Sequence, residues 1–201
     1  MKIYDISQEL YGCSVFPGDP SPQKEIMCQI SEGDVCNLTG FKMCAHNGTH
    51  VDAPYHFYDD GKTIDEMKME SFIGLAYVAE HEGDITGPDA ERIINKAKQA
   101  DERSAKRILI KGKAVVTAEA AEIFVKENVL LIGNESQTVG PENAPKQVHL
   151  ILLGAEITLL EGIRLAEVSE GMYLLNAAPL NLAGGDGAPC RAVLMTTDIA
   201  L

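Results

Sequence analysis

The sequence predicts a single domain in which β-strands alternate with two or three helices, of the α/β or α+β class. Three observations lead there. The 201 residues match the span of one domain. With 45% hydrophobic and 23% charged residues, the chain has the balance of a soluble globular fold with one core. Short apolar runs closed by Gly or turn residues recur between stretches of helical periodicity, and no Ser-, Gly- or Pro-rich linker separates them. The expected domain is therefore 1–201.

Ile3 to Leu10 reads as a strand, closed by the turn-rich Phe16-Pro17-Gly18-Asp19-Pro20, which can continue neither helix nor ladder. Residues 35–46 are β-compatible and lack a helical stripe. Leu75 to Glu80 is a strand candidate, and Pro88-Asp89-Ala90-Glu91 opens a helix with Ile93, Ile94 and Ala97 on one side. Arg107 to Lys111 is a further strand. Thr117 caps a helix running to Lys126 that turns Ala121, Phe124 and Val125 inward. Val129 to Ile132 is a buried strand ended by Gly133, His149 to Leu153 is an apolar run ended by Gly154, and Ile157 to Leu160 is another strand candidate. Met172 to Leu175 and Ala192 to Met195 supply the last strands.

Thirty acidic residues against seventeen Lys and Arg leave a formal net charge of −13. Such a surface repels polyphosphate and anionic lipid, which argues against nucleic acid or membrane as a partner. The N-terminus has no long apolar leader, and no run approaches the ~18 apolar residues of a membrane span, so a cytoplasmic location is expected. Five cysteines, odd in number and without any CxxC, indicate reduced and mostly buried thiols.

Three of the five histidines fall within His46-Asn47-Gly48-Thr49-His50-Val51-Asp52-Ala53-Pro54-Tyr55-His56. His46, His50, Asp52 and His56 are all even-numbered, so an extended backbone projects all four to one side. A helix, at about 100° per residue, would rotate Asp52 and His56 away from the first two, and Gly48 and Pro54 oppose helix in any case. Imidazole and carboxylate are the ligands that Zn, Mn or Fe accept, and three protein ligands with an open position define a hydrolytic site. On that reading His46, His50 and Asp52 are ligands and His56 a base. The bland alternative, surface or satisfied core histidines, would have to place four ligand-type side chains on one face by accident. His149 and Glu161 form a weaker pair, each with a structural alternative: a buried histidine in an apolar run, and an acid at a helix start. His81, among acids in a turn-like stretch, is expected to face solvent. Gly184-Gly185-Asp186-Gly187 lacks the Lys-Ser/Thr of a phosphate loop and reads as a flexible loop at a subunit or active-site edge.

The pattern His-x-Gly-Thr-His-x-Asp-x-Pro-x-His resembles the signature of the cyclase family of metal-dependent hydrolases, which includes bacterial kynurenine formamidases. The likeness extends to Asp5-Ile6-Ser7 with Pro17-Gly18-Asp19, to the segment from His149 to Glu161, and to Pro179-Leu180-Asn181-Leu182 and Gly187-Ala188-Pro189-Cys190-Arg191. The resemblance implies a swivelling β/α/β fold forming a homodimer or homotetramer. It also implies two divalent metals per chain, Zn favoured and Mn compatible: one held by His46, His50 and Asp52, the second by Asp52, His149 and Glu161, with His56 as proton donor and acceptor. A metal that acidifies water and polarises a carbonyl lets hydroxide attack an amide near neutral pH, with His56 relaying protons. The implied reaction is cleavage of a C–N bond in a small-molecule amide, arylformamidase chemistry on N-formylkynurenine first, as in tryptophan catabolism.

The formamidases that the sequence resembles carry a Trp before Pro-Gly-Asp, where this chain has Phe16 and no Trp anywhere. The connection from Lys111 to Thr117 is shorter than in those formamidases, and Gly133-Asn134-Glu135-Ser136 departs from their Asp-containing stretch. Phe16, Phe57 and Tyr58 are the candidates for the substrate wall, with core or turn packing as the alternative for each. The altered pocket leaves two other readings: a cyclic amide or lactone hydrolase or cyclase of the same family, and a non-catalytic small-molecule binding protein.

Overall fold

Strands buried on both faces form the centre of the fold, as expected where apolar runs show no polar alternation. The structure, a computed structural model, describes residues 1–196, so the last five residues of the expected 1–201 domain lie outside it. In chain order the strands are β1 (Ile3–Asp5), β2 (Gln23–Cys28), β3 (Leu38–Lys42), β4 (His50–Asp52), β5 (Ile73–Glu80), β6 (Gly83–Ile85), β7 (Arg107–Lys111), β8 (Ala114–Val116), β9 (Leu131–Asn134), β10 (Thr158–Glu161), β11 (Gly171–Asn176), β12 (Gly187–Pro189) and β13 (Val193–Met195). The helices are α1 (Met69–Phe72), α2 (Gly87–Ala100), α3 (Ala118–Lys126) and α4 (Lys146–Gly154).

One mixed sheet runs in the order β1-β13-β11-β5-β7-β9-β10-β4-β12. Its middle, β5 to β10, is parallel, and the flanking pairs are antiparallel. Helices α2, α3 and α4 cover one face through Ile93, Ile94, Phe124, Leu152 and Leu153, which pack on Ile108, Ile110, Ile132 and Leu159. The opposite face buries Val51, Leu109, Leu131 and Leu160 against Ile6, Phe72 and Leu165. The class is α/β.

Local chemistry sets the helix starts as expected. Thr86 and Asp89 form a capping box on α2, with Pro88 in the first turn, and the Thr117 hydroxyl accepts from the Ala120 N–H at the start of α3. Other expectations change. The first strand stops at Asp5, because the Asp5 carboxylate accepts from the Ser7 N–H and turns the chain. Residues 35–46 contain a strand only over β3, which pairs with β2 in a separate ribbon bearing exposed Ile26, Met27 and Phe41. Gly133 sits within β9 rather than ending it: a Cβ there would meet Leu109 Cδ2 at 2.7 Å, so the bare backbone is what lets β7 and β9 pack. The run from His149 to Leu153 is helical, inside α4, where the buried set Val148, His149, Leu152 and Leu153 follows helical spacing. The five cysteines are free, as expected, but none is fully buried: Cys36 is exposed and the other four are half-buried.

Candidate metal centre

The ligand-type side chains gather at the β10-β4-β12 end of the sheet, on its helical face. β4 lies antiparallel to β10 with Glu161 opposite His50, so His50, Asp52 and Glu161 share one face, while Val51 and Leu160 turn to the core on the other. Helix α4 brings His149 down onto the same face.

The segment 46–56 is not extended throughout. Only His50–Asp52 is strand; Gly48 takes a left-handed φ of 66°, and Pro54 opens a single turn of 3₁₀ helix that ends at His56. Two bends, rather than simple alternation, therefore aim His46 and His56 at the site. Gly48 is required there because most residues resist positive φ. Glu161 closes a strand instead of opening a helix.

Two donor groups share Asp52. In the first, His46 Nδ1 lies 2.8 Å and His50 Nε2 3.4 Å from Asp52 Oδ1. In the second, His149 Nε2 lies 3.7 Å from Asp52 Oδ2 and 3.4 Å from Glu161 Oε1. The other Glu161 oxygen, Oε2, is 3.5 Å from His50 Nε2. Within each group the ligand atoms all fall within 4.8 Å of one another. His50, Asp52, His149 and Glu161 are each no more than 3% exposed. Four buried groups of this kind cost far more than they return unless protons or cations neutralise them.

The outer contacts fix which ring nitrogen faces inward. His50 Nδ1 donates to the Gly48 carbonyl at 3.1 Å and His149 Nδ1 to the Pro145 carbonyl at 2.9 Å, so Nε2 of each is left as the lone-pair donor. Glu161 Oε1 accepts from the Val139 N–H at 2.8 Å. This donor set, one group of two imidazoles and a carboxylate and one of an imidazole and two carboxylates, joined through Asp52, fits a divalent metal.

Without a cation, the imidazoles take up protons. Burial opposes the charge on His46, but Asp52 and Asp186 outweigh it and raise its pKa to about 11. Burial likewise opposes charge on His50, and Asp52 with Glu161 overcomes it, to about 9. His149 is raised in the same way, mainly through Glu161, against its burial. Asp52 is buried too, yet His46 and His50 hold its carboxyl well below the usual range.

Above this floor is a cavity of about 380 Å³, within the size range of small-molecule sites. Phe16 and Phe57 line it together with His56, as do Cys44, Gln137 and Thr138. The Phe57 ring stacks on His149 at 4.7 Å. Tyr58 is not in the lining: its hydroxyl donates to the Leu150 carbonyl and the ring packs at Gly154, so it serves as a brace for α4. His81 is half-buried, with Nε2 donating to the Asp84 carbonyl, away from the site. Sequence reasoning missed Asp186 as a site residue, although it put the surrounding Gly-rich stretch at a subunit or active-site edge. Its carboxylate reaches His46 Nε2 at 2.8 Å and His56 Nδ1 at 3.3 Å.

Known proteins resemble this chain over nearly its whole length. The chain is 33% identical to a kynurenine formamidase of Erythrobacter litoralis over 96% of its own length and 93% of that protein's, and 30% identical to one of Bacillus cytotoxicus over 94% and 95%. Among solved structures, one described as a potential metal-dependent hydrolase with cyclase activity superposes with a TM-score of 0.78 at 26% identity, covering 96% of each chain. Isatin hydrolase A of Labrenzia aggregata shares the fold with a TM-score of 0.83 at 21% identity, over 98% of this chain and 94% of that one. The Cyclase family model ("Putative cyclase") matches residues 4–141, a span that includes the whole histidine segment, and the chain belongs to that family.

Proposed function

We propose that this protein is a metal-dependent hydrolase that cleaves the C–N bond of a small amide, with an aryl formamide such as N-formylkynurenine as the first substrate to test. The observation that carries the reading is the pair of buried donor groups sharing Asp52 at the floor of a cavity with His56 on its wall. His46, His50 and Asp52 would hold one divalent cation and Asp52, His149 and Glu161 a second, with zinc favoured and manganese compatible with the same donors. When bound, such a cation lowers the pKa of water toward about 7 and polarises a scissile carbonyl.

The rest of the chemistry belongs to the chain. Asp52 offers Oδ1 to one group and Oδ2 to the other, which keeps the two groups a few ångströms apart. His56 is 30% exposed on its side chain and stands outside both groups that contain Asp52. With Nδ1 turned to Asp186, its Nε2 is the atom that takes a proton from attacking water and returns it to the leaving nitrogen. Phe16 and Phe57 offer ring faces to an aromatic amide and keep water off the floor. The single unit 1–201, a cytoplasmic location and assembly as a homodimer or homotetramer belong to the same proposal; among the described residues no helix is long and apolar enough to cross a membrane.

Elemental analysis of the purified protein with its N-formylkynurenine turnover, before and after chelation, tests this. About two cations per chain and turnover that chelation removes and metal restores is the expected result. Metal with turnover of isatin alone moves the substrate to cyclic amides, and absence of metal after reconstitution overturns the reading.

A further inference from the structure

Asp186 lies outside the histidine motif and outside both donor groups that contain Asp52. We propose that Asp186 is a positioning residue whose one carboxylate oxygen orients both His46 and His56. Oδ2 accepts from His46 Nε2 at 2.8 Å and from His56 Nδ1 at 3.3 Å. The two rings stack with centroids 4.0 Å apart and planes 29° apart, which is what lets one oxygen serve both edges.

The role follows from how the other histidines are held. His50 and His149 each spend Nδ1 on a backbone carbonyl, Gly48 or Pro145, and so present Nε2. The polar contacts of His46 are instead with two carboxylates, Asp52 at Nδ1 and Asp186 at Nε2. Asp186 therefore does for His46 what the carbonyls do for the other two, with the nitrogens exchanged, and leaves Nδ1 to face Asp52. At His56 it fixes Nδ1 as the protonated nitrogen and frees Nε2.

The backbone places Asp186 from both sides. Its carbonyl accepts from the Ala53 N–H at 2.9 Å, and the Gly185 carbonyl accepts from the Ile64 N–H at 2.8 Å. The next residue, Gly187, pairs with Asp52 across β12 and β4, and a Cβ on Gly187 would come within 2.7 Å of His46 Cε1. The chain after Gly184 is thus bound to the segment that carries the histidines, and the carboxylate travels with it.

The inference rests on the hydrolase reading for the roles of His46 and His56, and the test separates the two. Asp186→Ala, Asp186→Asn and Asp186→Glu are compared with the unaltered protein in zinc affinity by chelator competition, in histidine ring ¹⁵N–¹H spectra, and in kcat and KM for N-formylkynurenine. Asp186→Ala is expected to lose about 10- to 100-fold in zinc affinity, to lower kcat with KM little changed, and to move the neutral His56 proton from Nδ1 to Nε2. Asp186→Glu should regain part of each. Wild-type zinc affinity and an unmoved His56 tautomer in Asp186→Ala overturn the proposal. If Asp186→Ala melts early, the isosteric Asp186→Asn decides. Should the unaltered protein turn over no amide, the tautomer and zinc readouts still judge Asp186 while the hydrolase reading fails alone.

Discussion

The two donor groups that meet at Asp52 are built by different means. His46, His50 and Asp52 lie within seven residues of one another along the chain, and their spacing is set by the Gly48 bend and the short strand β4. His149 and Glu161 come from a helix and from a strand, and meet Asp52 because β10 pairs with β4 and α4 packs over β10. The first group is half open: the His46 side chain is 12% exposed and reaches the loop carboxylate of Asp186. The second is sealed, with the His149 side chain 4% and the Glu161 side chain 3% exposed. Local continuity thus supplies one site and tertiary packing the other, so the two are expected to answer differently to the same perturbation.

Asp52→Ala is the strongest test, because it removes the only residue common to both groups. It is expected to strip metal from both and lower turnover by more than the ~100-fold that an outer contact can cost, whereas His46→Ala should retain the second cation; equal, partial metal loss in the two variants would break the shared-ligand picture. His56→Ala should keep full metal content and lose about 10²- to 10⁴-fold in kcat, which steady-state kinetics with parallel elemental analysis will read. Glu161→Gln keeps the shape but removes one of the two carboxylate charges of the sealed group, and titration calorimetry should then show one tight cation where there were two. Proton competition offers a subtler comparison. Cation binding needs neutral imidazoles, and His46 and His50 hold protons up to about 11 and 9 when no cation is present. Affinity at the open group should therefore rise by about tenfold per pH unit for each proton expelled as pH climbs toward about 9, and by less above it. Zinc competition across pH checks the sign; affinity that falls with rising pH contradicts it. The smallest effect is expected from Phe16→Ala, which should raise KM severalfold and leave metal content and kcat close to wild type.

What could be read from the sequence follows the same division. The helices over Gly87–Ala100 and Ala118–Lys126 were legible because their start signals, Pro88 with the first-turn acids and the Thr117 cap, sit in or beside the first turn they serve. The segment 46–56 was legible because its donors are close in the chain, even though its backbone bends twice where alternation was expected. His149 and Glu161 carried little signal by themselves: twelve residues of spacing say nothing until it is known that the first lies on a helix folded over the second. A run of Val, Leu and Ile around His149 looks the same as strand or buried helix over so short a stretch. Asp186 was the least legible, since it lies 130 residues from His56 and its effect depends on a loop paired across the sheet edge. The wall residues divided in the same way. Phe57 follows His56 directly and does line the cavity, while Tyr58, one residue further, turns to brace α4.

One feature of the cavity bears on how such a protein can change over evolutionary time. Its floor is made of sheet and helix residues with almost no exposed surface, whereas Phe16 and Asp19 reach it from the loop between β1 and β2, which makes no part of the main sheet. Loops of that kind accept substitution and insertion at small cost to stability. Substrate preference and reactive chemistry are therefore expected to vary separately: a library confined to residues 14–20 should retune which small molecule enters while the buried donor residues, under their own packing constraints, stay as they are.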